Sequence, residues 1–291
     1  MSYKIYTDST ANLPNDLIEK YNLEVISLNY ILDGKEYQSY EKGKETDLVP
    51  FYNLLRDKKK ITTSCVNEEG FINAFKQDLE NGYDILYIGF SSGLSATFSC
   101  SQNAAKTLSE SYPERKILVI DSLCASLGLG LLVVDACKKM QEGVDIETLY
   151  AYVESQKLRV CHLFTVDTLE YLYRGGRVSA SKYFVAKLVN IKPTMHVDDN
   201  GKLVAYGKVM GRKKSINSLI SKMQETIENP SEQTIFISHG DCLEDALYAQ
   251  EQIKTKLNIN SFVINYVDSV IGSHSGPGTL AIFYFAKNRN L

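Results

Sequence analysis

Residues 84–105 constrain the fold of this chain more than any other stretch. They read Asp-Ile-Leu-Tyr-Ile-Gly-Phe-Ser-Ser-Gly-Leu-Ser-Ala-Thr-Phe-Ser-Cys-Ser-Gln-Asn-Ala-Ala. The opening apolar run, bounded by turn residues, is the pattern of a strand buried on both faces, as in a parallel sheet. A hydroxyl-rich turn, Ser91-Ser92-Gly93, follows, and the spacing then predicts a helix opening near Leu94 or Ser95. A strand that feeds a helix through such a turn leaves free backbone N–H groups above the sheet edge. Ser91, Ser92 and Ser95 add hydroxyl donors in the same place, which is the pattern of an anion site.

The same strand–helix unit recurs on both sides of this stretch. Strands are predicted at residues 4–8, 61–64 and 117–121, with an extended pair over 24–30 and beyond the Leu32-Asp33-Gly34-Lys35 turn. Helices are predicted at 14–21, 49–58, 68–81, 127–142 and 145–156. Repeated units of this kind imply a parallel sheet covered on both faces. The character changes after Lys157. A strand at 160–166 and a helix from 168, ending at Arg174-Gly175-Gly176-Arg177, precede a hairpin of 191–197 and 203–209 around Asn200-Gly201, the strong local signal. Helices at 215–227 and 242–257 flank a strand at 234–238, and strands follow at 261–267 and 279–285. The fold class is therefore α/β with two domains: residues 1–158 with a parallel sheet and residues 159–291 with a mixed one. A length of 291 residues suits that division.

Composition excludes several functions. A net charge of −3 argues against a general nucleic-acid binder. No apolar run reaches the ~18 residues of a membrane span, so no stable membrane insertion is expected. The first residues, Met1-Ser2-Tyr3-Lys4-Ile5, run into a strand pattern without signal-peptide character, and a cytoplasmic location is the expectation. The six cysteines form no Cys-x-x-Cys and no zinc-like spacing with the four histidines, which reads as free thiols and no metal site.

Ligands of open α/β sheets bind at the carboxyl ends of the strands. Four strands of the first half are expected to end there in hydroxyl-rich loops: Thr7-Asp8-Ser9-Thr10, Thr62-Thr63-Ser64, Ser91-Ser92-Gly93-Leu94-Ser95 and Asp121-Ser122. Each alone is an ordinary helix cap. Together they make a polar, largely uncharged rim suited to a carboxylate or phosphate. Gly89-Phe90-Ser91-Ser92-Gly93 also matches Gly-x-Ser-x-Gly, the nucleophile elbow. A serine hydrolase acting on acyl esters is thus the alternative, with Ser91 as nucleophile, Asp241 or Asp268 as acid and His274 as base. Gly128-Leu129-Gly130 lacks a third glycine and lies within an apolar helix, which reads as packing. The stretch Gly207 to Ser215 has the wrong spacing for a P-loop, and Arg212 there reads by itself as solvated charge. Gly272-Ser273-His274-Ser275-Gly276-Pro277-Gly278 describes a tightly turned loop around one histidine.

The ordered set Thr7-Asp8-Ser9-Thr10-Ala11-Asn12-Leu13-Pro14, Thr63-Ser64, Ser91-Ser92-Gly93-Leu94-Ser95, Ile120-Asp121-Ser122, Leu172-Tyr173-Arg174-Gly175-Gly176-Arg177, Ile191-Lys192-Pro193 and His274-Ser275-Gly276-Pro277-Gly278 resembles the DegV family. The resemblance runs from residue 4 to about 285. It implies a non-catalytic two-domain α/β protein with no cofactor that holds one long-chain fatty acid in a tunnel between its domains. It also implies a partner, an ATP-dependent fatty-acid kinase that converts the presented carboxylate to an acyl phosphate for phospholipid synthesis. The family's carboxylate ligands fall at Thr63, Ser92 (or Ser91) and His274, with Ser95 near the same network. The arginines that face the kinase or its phosphate fall at Arg177 and Arg212. Candidate tunnel walls are Phe90, Leu94, Phe98, Leu127, Leu129, Phe164, Ile191, Met195 and Phe283. Cys65-Val66-Asn67, Ala96 and the single arginine of Gly211-Arg212-Lys213 depart from the family's usual pattern.

Overall fold

The structure, a computed structural model, describes residues 2–179 and 190–289. The first half runs β1 (Tyr3–Asp8), α1 (Asn15–Lys20), β2 (Glu24–Ile26), β3 (Asn29–Leu32), β4 (Lys35–Gln38), α2 (Val49–Arg56), β5 (Ile61–Ser64) and α3 (Glu68–Glu80). It continues with β6 (Asp84–Gly89), α4 (Thr97–Ser111), β7 (Ile117–Asp121), α5 (Leu127–Gln141) and α6 (Ile146–Gln156). The second half runs β8 (Val160–Thr165), α7 (Glu170–Arg174), β9 (Ile191–Val197), β10 (Leu203–Met210), α8 (Arg212–Thr226), β11 (Ile235–His239), α9 (Leu243–Leu257), β12 (Phe262–Tyr266), α10 (Ser269–Ser275) and β13 (Leu280–Phe285).

Strands β2-β1-β6-β7 form a wholly parallel sheet. Six strands of the second half form a mixed sheet in the order β10-β9-β8-β13-β11-β12, parallel only between β11 and β12. The α/β class with one parallel and one mixed sheet is as the sequence pattern implies. One strand departs from it. β5 was expected among the strands of the parallel sheet, but it pairs antiparallel with β3 in a separate three-stranded sheet, β4-β3-β5. The β3–β4 hairpin turns at Asp33 and Gly34, both at positive φ, and leaves the other edge of β3 open. β5 closes that edge.

Helix α5 joins the two halves. Its first eight residues are all buried, and it packs against β8, β11 and β13 of the mixed sheet as well as α6. A helix apolar on every side can only sit inside, and each fully buried Leu or Val contributes ~1.5–3 kcal/mol. Its glycines are packing residues, as their setting in an apolar helix suggests. A Cβ on Gly128 would lie 2.2 Å from His162 Nε2, and one on Gly130 would lie 2.6 Å from the Ala11 carbonyl oxygen. The resulting core is continuous from Leu86 and Ile88 on the parallel sheet to Phe164, Phe236 and Phe283 on the mixed one.

Helix α4 begins at Thr97, later than expected. Residues 91–95 form a turn instead, with the Ser91 carbonyl accepting from the Leu94 and Ser95 N–H groups at 3.0 and 3.2 Å. Ser95 Oγ then accepts from Thr97 N–H at 3.2 Å. Likewise, His274 sits in the last turn of α10 rather than in a loop, and the tight turn starts at Gly276, where φ is 80°.

Candidate functional site

A largely apolar cavity of about 300 Å³ lies between the sheets, walled by Phe90, Leu94, Phe164, Leu203, Val270 and Phe283 among others. Of the walls expected from sequence, Phe90, Leu94, Phe164 and Phe283 line it. Leu127, Leu129 and Met195 are fully buried in the core around it. Thr63, Ser95, Arg177 and His274 also line the cavity, and they come from four different elements.

Each is fixed by local chemistry. His274 rides on α10, whose first turn is capped by Asp268, accepting from Val270 and Ile271 N–H at 3.2 and 3.0 Å. Gly272 lets that helix lie against Tyr52, whose hydroxyl would be 2.8 Å from a Cβ. Thr63, opposite Tyr30 in the small sheet, shares a 2.9 Å hydrogen bond between Oγ1 and His274 Nε2. Gly175, after α7, presses on the other ring nitrogen; a Cβ there would lie 2.1 Å from His274 Nδ1. Burial, and secondarily the positive charge of Arg177, hold the His274 imidazole down to about 4, so it is neutral at pH 7.

Arg177 turns inward. Its Nε and Nη2 donate to the Leu94 carbonyl at 3.2 and 2.9 Å, and Nη1 donates to the Gly175 carbonyl. Among the described residues it has no carboxylate partner, and desolvation lowers its pKa. Ser275, a residue the sequence reading passed over, is buried with a hydroxyl that has no partner, and it too lines the cavity. A half-buried cation with no carboxylate partner among the described residues, an unsatisfied hydroxyl and a neutral His–Thr pair are what a carboxylate would complete.

The structure does not bring the other expected residues to this point. Ser92 is exposed and does not line the cavity; its N–H donates to Asp121 Oδ1 at 3.1 Å. Ser91 is buried, and its hydroxyl donates to the Gly201 carbonyl at 2.9 Å while accepting from Gly93 N–H at 3.1 Å. The Ser-Ser-Gly turn is therefore a latch onto the β9–β10 hairpin, where a Cβ on Gly93 would lie 2.6 Å from the Asn200 carbonyl oxygen. Arg212 is ion-paired with Asp245 at 2.8 Å and lies outside the cavity lining. The hydroxyl rim also folds back on itself. Thr10 bonds Asp8, Ser9 accepts from Leu28 N–H, and Ser122 accepts from Cys124 N–H. Ser122 thus bonds backbone of its own loop, Thr10 a side chain two residues away, and Ser9 the backbone nineteen residues on.

Over residues 2–287 the chain matches the model of the DegV family, described as uncharacterised. The chain belongs to the DegV family. It is 40% identical over 289 residues to the DegV domain-containing protein CPE0026 of Clostridium perfringens (strain 13 / Type A), covering 99% of this chain and 98% of that protein. The DegV family protein of Thermus thermophilus, solved for its fatty acid binding, superposes with a TM-score of 0.87 at 28% identity, over 98% of this chain and 100% of that one. The Streptococcus pneumoniae Fatty Acid Kinase (Fak) B3 protein, solved loaded with linoleic acid, has the same fold, with a TM-score of 0.85, 20% identity and coverage of 99% and 100%.

In this DegV chain the elbow motif does not assemble a hydrolase. Ser91 is latched to Gly201, His274 is bonded to Thr63, Asp268 caps α10 and accepts from Ser39 Oγ, and Asp241 is paired with Arg56. A nucleophile needs a base within hydrogen-bond reach, and none of these pairings supplies one. His162, which the sequence reading also missed, forms part of the cavity wall. Its Nε2 accepts from Ala125 N–H at 3.1 Å, so Nδ1 carries the proton toward the Val160 carbonyl at 3.0 Å. Burial holds it neutral, with a pKa well below the usual value. Among the described residues no cluster of three or more His, Cys, Asp or Glu is placed to hold a metal, and no helix is long and apolar enough to cross a membrane.

Proposed function

We propose that this chain binds one long-chain fatty acid, with its alkyl chain in the apolar cavity and its carboxylate among Thr63, His274, Ser275, Ser95 and Arg177. The protein then presents that carboxylate to an ATP-dependent fatty-acid kinase. The observation that carries the reading is the pairing of an apolar cavity with Arg177, a half-buried cation that has no carboxylate partner among the described residues. Each methylene taken from water contributes ~0.8 kcal/mol, while hydrogen bonds to Ser275 and the Thr63–His274 pair offset the carboxylate's desolvation. In the kinase step the γ-phosphoryl group passes to a carboxylate oxygen; one P–O bond forms, the bridge to the β-phosphate breaks, and no base of this chain is required. The kinship with the fatty-acid-binding Thermus protein supports the ligand class.

Mass spectrometry of the purified protein, native and after solvent extraction, tests the reading. One fatty acid per chain is the expected result. A protein that is empty and takes up neither palmitate nor oleate would refute it. Adding a fatty-acid kinase and ATP to the loaded protein, with hydroxylamine to trap product, should give one fatty hydroxamate per bound acid.

A further inference from the structure

Of the six cysteines, all within the described residues, Cys65 alone is exposed. It follows directly on β5 and lines the apolar cavity. Among the described residues of that lining, Cys65 and Ala96 alone are exposed, so the cavity wall reaches solvent between the end of β5 and the start of α4. Cys100 stands one turn beyond Ala96, its N–H donating to the Ala96 carbonyl at 3.1 Å. It packs, half-buried, on the same apolar cluster as Val66, the residue after Cys65. The Cys100 and Cys65 thiols share a hydrogen bond. Two turns further along this face of α4, Thr107 Oγ1 donates to Glu68 Oε1 at 3.1 Å and holds the helix against the first turn of α3. The two sulfurs therefore meet at the cavity mouth. The other thiols are kept protonated: burial pushes Cys137 and Cys242 up to about 12 and Cys161 up to about 11, and it raises Cys124 as well.

We infer that Cys65 and Cys100 form a redox modification site, a dithiol that hydrogen peroxide converts to a disulfide, and that this bond gates ligand exchange at the cavity mouth. Cys65 is the sulfur that solvent reaches, so it reacts first. Its thiolate attacks the peroxide; an S–O bond forms, the O–O bond breaks, and the second oxygen takes up a proton and leaves as water. The Cys100 sulfur then displaces the sulfenic oxygen; the S–S bond forms, the S–O bond breaks, and the Cys100 proton leaves in a second water. One peroxide thus takes two electrons from the pair. The disulfide ties the strand end that carries Thr63 to the helix that follows Ser95, and the two sides of the opening can no longer part. A ligand passing between them exchanges more slowly in both directions, while its bound contacts stay the same. The modification does not depend on which ligand the cavity holds; the gate rests on the fatty-acid reading above.

The test uses the full chain, delipidated and reduced, then treated with hydrogen peroxide, alkylated and mapped by peptide mass spectrometry without reductant. The expected product is a pair of peptides of one chain joined through Cys65 and Cys100, with two hydrogens lost. Cys100→Ser should instead leave Cys65 as a sulfenic acid that dimedone captures, and Cys65→Ser should leave Cys100 reduced. Palmitate uptake and release, followed by stopped flow, should both slow by about tenfold in oxidised wild type, with affinity kept within about twofold. Dithiothreitol should restore both rates, which also shows that the oxidised chain is folded, and peroxide should not slow them in either serine variant. Oxidised wild type in which Cys65 is joined to a second chain, or is oxidised while Cys100 stays free, overturns the site. A Cys65–Cys100 bond that leaves both rates unchanged overturns the gate and leaves the carrier function standing. Failure of reduced wild type to bind palmitate removes the carrier function and the gate together, while the peptide map still decides the disulfide.

Discussion

Gly175→Ala isolates the role of His274 without altering any group that touches ligand. Gly175 has φ −76° and ψ −6°, a conformation alanine adopts without strain. The added methyl would lie 2.1 Å from His274 Nδ1 and 3.1 Å from Cγ and Cε1. Ordinary carbon contacts begin near ~3.5 Å, so the ring must retreat by more than an ångström, and the 2.9 Å bond to Thr63 breaks. Overpacking of this kind costs the free protein ~1–3 kcal/mol. A lost hydrogen bond to a charged group costs ~1.5–3 kcal/mol, which lowers carboxylate affinity by ~10–150-fold. Palmitate titration of delipidated protein by calorimetry measures the second quantity, and thermal unfolding measures the first. Gly176→Ala is the control: Gly176 sits at φ 75° with nothing within 4 Å of a Cβ, so alanine strains the backbone there by ~1–2 kcal/mol and leaves His274 in place. If Gly175→Ala binds palmitate within twofold of wild type, or if Gly176→Ala weakens binding equally, His274 does not hold the carboxylate as argued.

Gly128→Ala gains ~1 kcal/mol of helix propensity but drives a methyl into His162 and breaks its bond to Ala125. The net loss should be ~1–4 kcal/mol by denaturant unfolding; unchanged or greater stability would contradict the packing account. Ser275→Ala should weaken fatty-acid retention ~2–12-fold, whereas Ser92→Ala, outside the cavity, should leave it unaltered; the reverse order would reinstate Ser92 as a ligand. For pH, His274 has a folded-state pKa of about 4 against the usual 6.5, so the unfolded chain binds more protons between those values. Its contribution is complete above pH 6.5 and is lost as pH falls toward 4. Relative to His274→Gln, unliganded wild type should lose about 3 kcal/mol across that window and no more below it. A His274 NMR titration with a midpoint near 6.5 would refute this.

What was legible in the sequence divides along physical lines. The parallel sheet, the Asn200-Gly201 hairpin and the buried α5 follow from periodicity and turn chemistry, which act over a few residues. Thr63 and His274 each stand out locally, in a hydroxyl-rich strand end and a glycine-rich stretch, but that they belong together was legible only through motif resemblance, because their meeting depends on two long-range placements: β5 on β3 and α10 against α7. Neither has a local signature. The serines divide for the opposite reason. Ser91, Ser92 and Ser95 share one loop, but a turn sends successive side chains in different directions, so one latches a hairpin, one faces solvent and one reaches the cavity. Arg212, which the resemblance turns from solvated charge toward a partner, is ion-paired here with Asp245 in the first turn of α9.

The glycines show what a sequence can carry once geometry is known. Gly128 and Gly175 both have backbone conformations open to alanine, and alanine would be the better helix residue at 128. Each instead faces an imidazole ring, His162 and His274, at a distance no Cβ tolerates. His162 uses both ring nitrogens on backbone groups and so shapes the wall. His274 uses Nε2 on a side chain that lines the cavity beside it. The same device, a glycine clearing space for a neutral ring, thus builds a fixed surface in one place and a hydrogen-bonding one in the other. The difference lies in the partner: a backbone group is locked by secondary structure, whereas the Thr63 hydroxyl can turn from donor to acceptor as the ligand's charge requires.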